Sequence, residues 1–130
     1  MTGFLLDTHV WYWYLAGSTR LSSGLRAVVE GEADRCWLSP ISVRELGLLA
    51  QRKRVEIDDM RAWLTAAQQA LPLREAPINL EIALRSTEID LPHRDPADHF
   101  LAATALVFDL TLLTVDEKLT SAAWLPTLSA

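Results

Sequence analysis

Leu110-Thr111-Leu112-Leu113-Thr114-Val115, closed by Asp116, is the clearest strand in the chain. It is a run of β-branched and aliphatic side chains with no polar alternation, the pattern of a strand buried on both faces. Phe4-Leu5-Leu6 has the same form and also ends on an aspartate, Asp7, and Cys36-Trp37-Leu38 repeats it before the stop at Ser39-Pro40. A further short strand is expected over 73–76. The stretches between these runs carry helical spacing. Helices are predicted over 10–16, closed by Gly17, and over 21–31, 41–52, 79–88 and 96–108, the last apolar nearly all round. Another is predicted over 58–70, with Asp58 as its N-cap, Met60, Trp63, Leu64 and Ala67 on one face, and Pro72 as its stop. Residues 117–123 complete the set as a short helix. Strands alternating with helices give an α/β fold with a parallel sheet covered on both faces.

The chain has 130 residues, half of them hydrophobic, enough for one domain over 1–130 with a sizeable core. No low-complexity tract, linker or internal repeat divides it. The apolar run 10–16 is far shorter than the roughly 18–20 residues of a spanning helix, so no membrane segment is expected. Asp7 and His9 interrupt the N-terminal apolar run and no basic flank precedes it, which argues against a secretory signal. Cys36 is the only cysteine, so an internal disulfide is excluded and a reducing cytosol is the expected setting. The net charge of −5 argues against a simple nucleic-acid-binding module. It argues less against a nuclease, because bound divalent cations reverse the potential where a phosphate must sit.

In an open parallel sheet, ligands sit beyond the carboxyl ends of the strands. Asp7 and Asp116 fall at two such exits; Glu45 lies in the helix after the second strand and Asp98 in the first turn of the helix over 96–108. Topology therefore gathers four carboxylates on one edge. Glu45 falls among Ile41, Leu48 and Leu49 on its helical wheel, and Asp98 shares a face with Leu101, Ala102 and Ala105, so both carboxylates are expected to be partly enclosed. Carboxylates held together repel, and protonation or a divalent cation relieves them. An oxygen-only set suits Mg²⁺ or Mn²⁺, while a lone cysteine argues against zinc.

Each acid also has a plain structural explanation. Asp7 and Asp116 can be N-caps, Ser42-Val43-Arg44-Glu45 matches a capping box, and Asp95-Pro96-Ala97-Asp98 resembles one with proline at the first helical position. For Asp95 the cap is preferred. The set favours function, because four caps need not share one edge. Thr8 and Thr114 each stand close to an acid, where a hydroxyl can orient a carboxylate or simply bond backbone. His9, His93 and His99, the aromatic group Trp11 to Tyr14, and Arg52-Lys53-Arg54 are weaker signals; core, interface and helix end explain them most simply.

Four motifs, in order, give the chain a resemblance to PIN domains of the VapC toxin type: 5-LLDT-8, 42-SVREL-46, 93-HRDPADHFLAATA-105 and 113-LTVDEKL-119. The resemblance spans about Phe4 to Leu119. It implies a three-layer α/β/α fold with a central parallel sheet and an acidic quartet of Asp7, Glu45, Asp98 and Asp116. It also implies Mg²⁺ or Mn²⁺, an RNA substrate, a homodimer, and an antitoxin that wraps the toxin and blocks the site. His99 stands where many relatives carry arginine. The expected chemistry is endonucleolytic phosphodiester hydrolysis, with metal held by Asp7, Glu45 and Asp98 and the shell completed by Asp116. Two rivals belong to other classes. A phosphohydrolase using the first-strand aspartate as nucleophile needs a second aspartate two residues on, where this chain has His9. A non-catalytic module would use the acids to hold metal for structure or to recruit a partner.

Overall fold

The computed structural model describes residues 3–130. β1 (Phe4–Leu6) is followed by α1 (Thr8–Ala16), α2 (Ser23–Gly31), a 3₁₀ turn (Ala33–Arg35), β2 (Cys36–Leu38), α3 (Pro40–Gln51) and α4 (Met60–Ala70). β3 (Arg74–Glu75), α5 (Leu80–Glu88), α6 (Pro96–Phe108), β4 (Thr111–Leu113), α7 (Glu117–Thr120) and β5 (Thr127–Leu128) complete the chain. The strands pair in the order β3-β2-β1-β4-β5, all parallel. β1 lies at the centre, with Leu5 opposite Trp37 on one side and Leu112 on the other.

Side-chain alternation along the central strands divides the interior. Leu6, Cys36, Leu38 and Leu113 face one apolar cluster with Val10, Trp11, Leu25 and Leu46; Leu5 and Leu112 face a second with Ile41, Leu101, Ala102 and Leu119. Helices thus cover both faces of the sheet, the three-layer α/β/α arrangement expected. No helix among the described residues is long and apolar enough to cross a membrane.

Several local expectations are corrected. α4 is capped by Asp59, whose Oδ1 accepts from the Ala62 amide at 3.1 Å, not by Asp58; the helix starts at Met60, which puts Asp59 three residues before the free N–H. α3 starts at Pro40, with Ser39 Oγ accepting from the Ile41 amide at 3.1 Å. Ser42 and Glu45 therefore form no capping box: Ser42 is buried inside the helix and its Oγ accepts from the Thr8 hydroxyl at 3.0 Å. α7 ends at Thr120 rather than at 123, and β4 is limited to Thr111–Leu113. β5 was not expected from the sequence; it exists through pairing with β4, where the Leu112 and Thr114 amides donate to the Pro126 and Leu128 carbonyls.

Candidate active site

The polypeptide leaves β1 and β4 side by side, and the Asp7 amide donates to the Leu113 carbonyl at 3.0 Å, tying the two exits together. Asp7 is the N-cap of α1: its Oδ1 accepts from the Thr8 amide at 2.7 Å. Its Oδ2 accepts from the Thr114 hydroxyl at 2.6 Å, and the same hydroxyl oxygen accepts from the Asp116 amide at 3.1 Å. Thr114 thus links two acids far apart in sequence. Asp7 is 7% exposed, and burial raises its pKa against the Thr114 hydrogen bond, with Asp116 adding repulsion.

Asp98 sits at the third position of α6. Asp95 supplies the cap there, accepting from the Ala97 amide at 3.1 Å, so the Asp98 carboxylate is not needed for that purpose. It is 5% exposed and its Oδ2 lies 2.5 Å from His93 Nε2. Burial pushes its pKa up to about 6; His93 opposes the shift, while Asp7, Asp95 and Asp116 reinforce it. Glu45, half-buried on α3, is also raised, first by burial, against the Thr8 hydroxyl and with help from Asp7 and Asp95. Asp116 caps α7 through Oδ1, which accepts from the Lys118 amide at 3.0 Å.

One pocket of about 280 Å³ collects Asp7, Glu45, Asp98, Asp116 and Asp95, with His9, Trp13 and Arg20 on its rim. Three of these acids, Asp7, Asp95 and Asp116, are caps and stand in the pocket as well, so the structural and functional explanations of Asp7 and Asp116 do not compete. Thr8 takes a different place from Thr114: its hydroxyl lies inside the α1–α3 contact, donating to Ser42 Oγ at 3.0 Å and standing beside Glu45. His99 lies behind the pocket, its ring nitrogens 2.9 and 3.3 Å from the carbonyls of His93 and Ser86. Sequence reasoning gave His93 no particular role and did not mark Arg20 at all. Both lie outside regular elements, where no periodicity points at a partner.

The donor set suits a hard divalent ion: oxygens only, in a setting where burial disfavours bare charge. Among the described residues, however, no three His, Cys, Asp or Glu side chains stand close enough together to hold an ion. The Asp7 oxygens are engaged by Thr8 and Thr114, and an Asp98 oxygen by His93.

Comparison with known proteins gives a consistent result. The family model described as PIN domain matches residues 4–125. Ribonuclease VapC22 of Mycobacterium tuberculosis is 34% identical over 125 residues, covering 93% of this chain and 92% of the relative. Among solved structures, DNA-bound VapBC from Salmonella typhimurium matches with a TM-score of 0.74 at 16% identity, over 98% of each chain. VapBC2 from Rickettsia felis, bound to a DNA fragment from its promoter, matches with a TM-score of 0.70 at 15% identity, over 96% of each chain. With the sheet order, the acid pocket at the strand exits and a family match over nearly its whole length, this chain belongs to the PIN-domain family.

Proposed function

We propose that this chain is a metal-dependent endoribonuclease that hydrolyses RNA phosphodiester bonds in the cytosol, as the toxin of a toxin–antitoxin pair. The observation that carries the reading is the convergence of Asp7, Glu45, Asp98 and Asp116, from four separate segments, on one pocket at the carboxyl edge of the sheet. The relative named Ribonuclease VapC22 supports the activity, and the likeness to VapBC complexes supports an antitoxin partner; that this antitoxin covers the pocket is part of the proposal. A homodimer is part of the proposal; Leu80 and Leu84, one turn apart on α5 and 91% and 57% exposed, offer apolar surface for a second copy.

Nucleases of this family are generally dependent on divalent metal. Mg²⁺ or Mn²⁺ would be held by Asp7, Glu45, Asp98 and Asp116. When bound, such an ion lowers the pKa of water and stabilises the charge that develops on phosphate. The protein's own contribution is placement. Thr114 fixes the Asp7 carboxylate and the Asp116 backbone relative to each other, and Asp95 and Pro96 set the first turn of α6 so that Asp98 enters the pocket. Burial keeps Glu45 and Asp98 prone to hold a proton until a cation compensates their charge.

The test is cleavage of a labelled single-stranded RNA by the full chain with Mn²⁺. Products with 5′-phosphate and 3′-hydroxyl ends are expected, along with loss of cleavage in chelator and a fall of roughly a hundredfold or more in Asp7→Asn. Cutting by the asparagine variant at the parent rate would overturn the assignment.

A further inference from the structure

A groove of about 490 Å³ runs beside the acid pocket between α3 and the start of α6, and the two share Glu45 and Asp95. Its floor includes the half-buried Leu48 and Leu49, and Arg44 and Arg52 stand along α3 on its wall. Their spacing along the helix is about 12 Å. Both are exposed, and neither is in an ion pair among the described residues. On the part of the acid pocket that the groove does not share stands Arg20, its guanidinium 5.8 Å from the centre of the Trp13 ring. Cations therefore stand on both arms of an acidic centre, in a chain whose net charge of −5 otherwise repels polyanions.

A guanidinium fork matches phosphate oxygens in a bidentate way. We propose that a single-stranded RNA crosses this surface with its phosphates held by Arg44 and Arg52 on one arm and by Arg20 beside Trp13 on the other, the scissile bond lying over the acid pocket. The assignment rests on the nuclease reading above and gives the strand its path. RNA is favoured over a polypeptide because the groove that carries Arg44 and Arg52 shares Glu45 and Asp95 with the acid pocket, where a phosphodiester must arrive to be cut.

The test is binding of a fluorescein-labelled 12-nucleotide RNA to the full chain in chelator, where no cutting occurs, followed by anisotropy across a salt series. For Arg44→Ala with Arg52→Ala, affinity at about 50 mM salt should weaken on the order of tenfold, and the slope of log K against log salt should fall by about 1.4, roughly 0.7 for each single-strand phosphate contact. Arg61→Ala with Arg85→Ala changes net charge equally outside the groove and should keep the parent slope. A parent slope in the groove variant overturns the path, as does absence of measurable RNA binding by the parent. It is also overturned if that variant keeps RNA binding and loses only inhibition by the antitoxin polypeptide, which would give the groove to a protein partner. A parent that binds RNA with the expected slope yet cuts nothing with Mn²⁺ sinks the nuclease reading and leaves the path supported.

Discussion

Asp98 faces His93 on one side and the carboxylates of Asp7, Asp95 and Asp116 on others, and its burial makes the ionised form costly. Its pKa in the fold is about 6 against an ordinary value of 3.8, so between those values the folded chain binds more protons than the unfolded one. The contribution of this group to stability is therefore present below about pH 4 and lost as pH rises through about 6. Asp7 and Glu45 are shifted in the same direction. The metal-free protein should melt at a lower temperature at about pH 7 than at about pH 5, and Asp98→Asn, which never ionises, should flatten that fall while abolishing cleavage. A melting temperature of the metal-free parent that stays level across this range would contradict the account. Thr114 makes the complementary case, since its hydroxyl serves both Asp7 and Asp116. Thr114→Val keeps the shape and deletes both bonds, which should cost about 1–3 kcal/mol in urea unfolding and weaken Mn²⁺ binding, with Thr114→Ser restoring most of each.

At the scale of elements, the runs 4–6, 36–38 and 111–113 were legible because strands buried on both faces leave uninterrupted apolar sequence. β5 was not: Thr127–Leu128 carries no run of its own and becomes a strand by accepting from the edge of β4. Helix existence was readable from spacing, whereas helix starts depended on which of several capable residues does the capping. Two adjacent acids precede α4, and two serines lie near the start of α3; in each pair composition permits both and the backbone selects one. Asp59→Ala should accordingly destabilise the protein by about 1 kcal/mol, within a range of about 0.5–2. Asp58→Ala, at an exposed position outside the helix, should leave the unfolding midpoint in place. Equal losses in the two variants would mean that α4 starts one residue earlier than it does here.

For the whole molecule, folding and site assembly are one event, because the pocket takes its acids from the exits of β1 and β4 and from two helices, α3 and α6, that pack against each other. The acids could be picked out in sequence because Asp7 and Asp116 fall just after a strand, Asp98 falls in the first turn of a helix, and Glu45 stands among apolar residues of the helix after β2. His93, Arg20 and the α3 groove could not, since their places depend on how loops and helices settle in three dimensions. The same dependence makes metal binding a measure of the fold. An ion that binds only the assembled pocket stabilises the folded state by RT ln(1 + [L]/Kd), about 2.7 kcal/mol at a hundredfold excess over Kd, which for a domain of this size is a rise on the order of 10 °C in melting temperature. Protons compete for the same carboxylates, so the rise should be larger at about pH 7 than at about pH 5. Scanning calorimetry of the parent and of Asp7→Asn with and without Mn²⁺ decides the matter: the variant should lose most of the rise. An equal rise in both proteins would put the ion somewhere other than this pocket.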